Sequence, residues 1–228
     1  MLIAGFRKTS FVDYPGKVAS VVFTPHCNMR CTYCHNREII AGAVPDIGEE
    51  SVLEYLEKRK GLLDAVVISG GEPLLQQDLE GFIDRVRAMG YLIKLDTNGS
   101  FPDKLLRLIQ GGKLDYVAMD IKAPFDKYDI VTQTKNDIDA IKKSLSVLRH
   151  SGVEYELRTT FAPQLTIEDI AAIAREIEGT KRYFLQQYRQ VEEGDAEPHS
   201  PAELEEAAQA AREALGFCDV RGLMQGDI

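Results

Sequence analysis

Apolar residues along this chain keep two alternating rhythms. Residues 17–24 carry Val18, Val21, Val22 and Phe23 in a β-branched run that predicts a buried strand. Over 49–60, Val52, Leu53 and Leu56 share one face, as in an amphipathic helix. Residues 64–69 hold Ala65, Val66, Val67 and Ile68, a second buried strand, and 77–89 place Leu79, Phe82, Ile83 and Val86 at helical spacing. The alternation continues with strands at 91–96, 114–119, 153–160 and 182–187. Between them fall helices near 103–110, over 136–150 (Ile138, Ile141, Leu145 and Leu148 on one stripe), and after Thr166, which pairs with Asp169 as a capping box. A last helix is bracketed by Ser200 as N-cap, Pro201 at the first position, Glu203 closing the box, and Gly216 past the end.

Six strand–helix repeats without a break in composition predict one α/β domain, a parallel sheet with outer helices. A closed eight-unit barrel takes roughly 250 residues. Six units therefore predict an incomplete (β/α)6 TIM-like barrel, open along one flank and able to admit a large substrate. That domain is expected to fill 1–228, with a short N-terminal extension at 1–16 and a C-terminal polar segment and helix at 189–228. Composition changes the picture little: 44% apolar residues suffice for a sizeable core. Charge excludes more. A net charge of −9 argues against gripping nucleic-acid phosphates, which needs a basic footprint. No apolar run approaches the ~20 residues of a membrane span, and 1–8 do not read as a secretory signal. The four cysteines, three clustered and one apart, are no disulfide framework, so a cytoplasmic setting with reduced thiols is expected.

The candidate chemistry starts where the first predicted strand ends. Cys27, Cys31 and Cys34 form a C-x3-C-x2-C loop that offers three thiolates rather than four. A cubane iron–sulfur cluster normally takes one cysteine per iron. Three would leave one iron without a protein ligand, and an open metal position is where reactions occur. The competing reading is a structural zinc site completed by His26 or His35, although no second ligand pair follows in the chain. Cys218, alone in an apolar setting, reads as a small buried hydrophobe.

Polar groups also follow each later strand. The second ends in Ser69-Gly70-Gly71-Glu72-Pro73, the third in Asp96-Thr97-Asn98-Gly99, and the fourth in Asp120-Ile121-Lys122. The fifth contains Arg158-Thr159-Thr160 and the sixth ends in Gln186-Gln187-Tyr188. Each has a plain structural reading: a βα turn, an Asx turn, an i,i+2 ion pair, an arginine reaching a carboxylate. Together they mark the carboxyl ends of the strands, the active face of parallel α/β folds.

The cysteine loop, Tyr33 just before its last cysteine, and Gly70-Gly71-Glu72-Pro73 resemble the radical S-adenosylmethionine superfamily. The runs 8–16 and Cys34-His35-Asn36 are similar to the anaerobic ribonucleoside-triphosphate reductase activating proteins, a branch of the glycyl radical enzyme activases. The resemblance extends to about Tyr188. It implies that Cys27, Cys31 and Cys34 hold a [4Fe–4S] cluster whose fourth iron binds S-adenosyl-L-methionine. It places Tyr33 near the adenine and Gly70, Gly71 and Glu72 by the methionine amino group. From the related formate-lyase activase it implies a monovalent cation and the cofactor carboxylate at Asp96, Thr97, Asp120 and Lys122, with Arg158 also in the cofactor site. The histidine such activases carry after the sixth strand has no obvious match; Tyr188-Arg189 stands near it.

The implied reaction is reductive cleavage of S-adenosylmethionine, followed by hydrogen-atom abstraction from a glycine of a partner, most simply the anaerobic reductase. A low-potential donor such as flavodoxin or ferredoxin would supply the electron. Neither nucleic acid nor membrane is an expected partner. Two other readings stay open: a small-molecule enzyme resembling 7-carboxy-7-deazaguanine synthase, and a non-catalytic zinc-binding module.

Overall fold

In a computed structural model, residues 1–42, 44–192 and 194–223 are described. Residues 224–228, the end of the predicted C-terminal segment, lie outside them. The strands are β1 (Gly5–Ser10), β2 (Ala19–Thr24), β3 (Ala65–Gly70), β4 (Leu92–Thr97), β5 (Tyr116–Asp120), β6 (Glu154–Phe161), β7 (Tyr183–Gln187) and β8 (Asp219–Arg221). The helices are α1 (Arg37–Ile40), α2 (Glu49–Glu57), α3 (Leu79–Ala88), α4 (Pro102–Gln110), α5 (Tyr128–Thr132), α6 (Ile138–Ser151), α7 (Ile167–Glu176) and α8 (Pro201–Leu215). Sheet order follows chain order from β1 to β8, with those two as edge strands: an open, mostly parallel α/β sheet, as the alternation predicts.

The chain divides into two compact units. The first comprises Met1–Asn28, Asn36–Ala118 and Ala140–Glu154. In it β2, β3 and β4 pair in parallel, Ala19 opposite Ala65 and Ala65 opposite Leu92, so the apolar runs stack in register. Tyr14, Val21, Val67 and Tyr116 pack into one core cluster there, the two tyrosine rings 5.5 Å apart. The second unit takes Met29–His35, Met119–Asp139 and the described residues from Tyr155 onward. Here β6, β7 and β8 pair in parallel, Leu157 opposite Tyr183 and Leu185 opposite Val220.

Two strands escape the sequence pattern. The stretch expected to be a plain N-terminal extension contains β1, which runs antiparallel to β2. Arg7, Lys8 and Thr9 are all exposed, so this edge strand lacks the alternation that marks a half-buried one. β8 has three residues, too few to show any period. The helix expected from 136 starts at Ile138 instead. Asn136 is a loop tie, its amide donating to Asp129 Oδ1, Thr132 Oγ1 and the Thr134 carbonyl. Local signals fare better. Thr166 with Asp169 and Ser200 with Glu203 each form a complete capping box, and Gly216 ends α8 in the left-handed region at φ 75°. Among the described residues no helix is long and apolar enough to cross a membrane.

Candidate functional site

In the first unit, β2 delivers the chain into the cysteine loop through His26, a non-glycine residue at φ 65°. The strap after β3 presses on that entry. Gly70 sits at φ 111°, and a Cβ there would lie 2.4 Å from the Thr24 nitrogen; one on Gly71 would lie 1.8 Å from the His26 carbonyl oxygen. Only glycine permits so close a backbone approach. Gly71 N donates to the Thr24 carbonyl (2.8 Å) and Glu72 N to that of His26 (2.9 Å).

Glu72 has no exposed surface. One carboxylate oxygen accepts from Leu74 N (3.1 Å) and Thr97 Oγ1 (2.8 Å), the other from Asn98 N (2.7 Å). Its side chain thus ties the Gly-Gly strap to the Asp96–Gly99 turn. The turn itself is held by Thr97 Oγ1 and Asn98 Oδ1, which accept from Gly99 N and Ser100 N. Asn98 Nδ2 donates to Asn28 Oδ1 (2.9 Å) and reaches Cys27 Sγ at 3.8 Å. Asp96 accepts from Lys94 Nζ at 2.5 Å and from Ser69 Oγ at 3.0 Å.

In the second unit, Cys34 N donates to the Cys31 carbonyl and Arg30 N to that of Thr132. Gln164 reaches Thr32 Oγ1 at 3.0 Å. Tyr33 is buried; burial drives its hydroxyl pKa well above the ordinary value, against the pull of Lys122. Burial likewise raises the Cys31 thiol, again opposed by Lys122. Asp120 pairs with Lys122 Nζ and Arg158 Nε, each at 2.9 Å. Burial alone would raise its carboxyl, but the Arg158 guanidinium and Lys122 ammonium hold it at about 2. Lys122 is in turn kept protonated: burial opposes its charge, and Asp120 outweighs it. The ion-pair readings of Asp120, Lys122 and Arg158 are therefore realised.

Site residues thus gather in two sets: Cys27, Gly70, Gly71, Glu72, Asp96 and Thr97 in the first unit, and Cys31, Tyr33, Cys34, Asp120, Lys122 and Arg158 in the second. Among the described residues none of the four cysteines forms a disulfide; the three in the loop are half-buried and Cys218 is buried. Among the described residues no three histidine, cysteine or acidic side chains are gathered into a metal-holding group. Sequence reasoning overlooked two participants. Lys94 is a charge inside an apolar strand, a signal that was there to use. His199 lies in the segment expected to be polar, yet it stacks on Phe161 at 3.8 Å and its carbonyl accepts from Gln187.

A sequence model of the Radical SAM superfamily matches residues 21–177. The chain belongs to that superfamily. Among radical SAM proteins it is 36% identical over 202 residues to a provisionally named glycyl-radical enzyme activating enzyme of Methanocaldococcus jannaschii, covering 86% of this chain and 83% of that one. It is 29% identical over 200 residues to the pyruvate formate-lyase-activating enzyme of Clostridium pasteurianum, covering 82% and 81%. Streptococcus suis SuiB, solved with its precursor peptide SuiA, shares the fold at a TM-score of 0.70 and 15% identity, over 89% of this chain and 48% of SuiB. The activase resemblance is borne out at the level of the family, which implies a [4Fe–4S] cluster and S-adenosylmethionine. The donor set fits that cluster: three soft thiolates from one loop, with no fourth cysteine in it.

Proposed function

We propose that this chain activates a glycyl radical enzyme, most specifically an anaerobic ribonucleoside-triphosphate reductase, with Cys27, Cys31 and Cys34 as the cluster ligands. The observation that carries the reading is the three-thiolate loop in a chain alike, over most of its length, to glycyl radical enzyme activases. When bound, the cluster supplies the single electron that splits S-adenosylmethionine into methionine and a 5′-deoxyadenosyl radical, which takes a hydrogen atom from the partner's glycine. The electron comes from a flavodoxin or ferredoxin in the cytoplasm.

The protein's own share is positioning. Gly70 and Gly71 bring backbone within reach of the cofactor's amino group. Lys122 and Arg158 present cations to its carboxylate, each pre-oriented by Asp120. Tyr33 closes the adenine side and keeps water out. Glu72 makes no direct contact; it fixes the two loops that do.

The test is anaerobic reconstitution with dithionite, S-adenosylmethionine and candidate reductases, followed by electron paramagnetic resonance. The expected result is an organic radical on the partner, abolished by Cys31→Ala and retained by Cys218→Ala. Cofactor cleavage by the Cys31 variant at the native rate, or a colourless protein that binds only zinc, would overturn the assignment.

A further inference from the structure

We infer that Lys94 supplies, from within the chain, the positive charge expected at Asp96 from a diffusible monovalent cation, so that cofactor binding here needs no such ion. The inference rests on the cofactor reading above but not on who the partner is.

Lys94 and Asp96 stand two apart on β4 and therefore face the same side. Lys94 is 2% exposed, and its ammonium lies 2.5 Å from Asp96 Oδ1. A lysine is rarely so buried unless its charge is matched, because leaving water is costly. The position itself is shut off from solvent, so an apolar side chain would suit it if packing were all it did. The other Asp96 oxygen accepts from Ser69. Thr97, the second residue expected to hold the ion, has its hydroxyl committed: it donates to Glu72 and accepts from Gly99 N. In the second unit, Asp120 also carries side-chain cations, Lys122 and Arg158. Both carboxylates assigned to the ion are thus already neutralised by the protein, and a further cation beside a fixed ammonium meets like-charge repulsion. The residues present do not fit the ion.

The experiment measures equilibrium S-adenosylmethionine binding to the cluster-loaded protein, without partner, in chloride salts of potassium, sodium and the bulky N-methylglucamine. For the native protein the dissociation constant should stay within about twofold across the three. Lys94→Met should bind about tenfold more weakly in N-methylglucamine and recover most of that loss in potassium or sodium, which can refill the vacated charge. Two results would overturn the inference: a tenfold or so collapse of native affinity when potassium is withdrawn, or a Lys94→Met defect equal in every salt. The native salt series needs no variant, so it decides the matter even if Lys94→Met fails to fold. Failure of partner activation leaves this readout untouched.

Discussion

Glu72 is a fully buried carboxylate and Asp120 a half-buried one, one in each unit, and they are held by opposite means. The bonds to Glu72 come from backbone amides and a hydroxyl; those to Asp120 come from an ammonium and a guanidinium. Neutral donors from two loops make a permanent seam, whose loss strands two backbone amides and a hydroxyl at once. Paired charges make a set that pH can unbalance and that an anionic ligand can share. In the proposed function the first arrangement serves as the platform and the second as the cofactor's charged partner.

The seam can be broken most severely through the strap that carries Glu72. Gly71→Ala forces a methyl into the His26 carbonyl, where backbone and not a flexible side chain must yield. It should cost about 4 kcal/mol or more in chemical denaturation of the apoprotein. Glu72→Leu keeps the volume but leaves Leu74 N, Asn98 N and the Thr97 hydroxyl without this acceptor. Its expected cost is about 3 kcal/mol in the same assay, with cofactor affinity falling in parallel. A neutral outcome would reduce Glu72 to filler.

The ion-paired region is sharpened by pH. The Asp120 carboxyl is held at about 2 against an ordinary 3.8, so its stabilisation is complete above 3.8 and lost as pH falls through about 2. The shift is worth about 2 kcal/mol, smaller than either effect above. In urea titrations of the apoprotein, Asp120→Asn should flatten the acid limb of the stability profile between those two values. An unchanged limb would mean that other carboxylates govern it.

Much of this was legible from the chain. Capping boxes depend on residues three apart, so Thr166, Asp169, Ser200 and Glu203 declare themselves without tertiary information. The i,i+2 relation of Asp120 and Lys122 is equally local, and Arg158, on a strand that also carries Leu157 and Phe161, pointed to an acid. Inner parallel strands, apolar on both faces, are hard to miss. The edges were not readable, because β1 turns three polar residues outward and β8 is too short to have a rhythm. Nor was the seam at Glu72, because nothing local to the two glycines announces that its carboxylate takes the Thr97 hydroxyl and the Asn98 amide of another loop.

Cys218 carries a practical consequence. Its thiol is buried, and desolvation pushes its pKa up to about 12, so almost none is thiolate at neutral pH. Brief alkylation of the folded protein after metal loading should therefore tag the unloaded loop sulfurs and spare this one. The mass increment then counts how many loop positions remain unloaded, giving a stoichiometry for metal incorporation that requires no turnover.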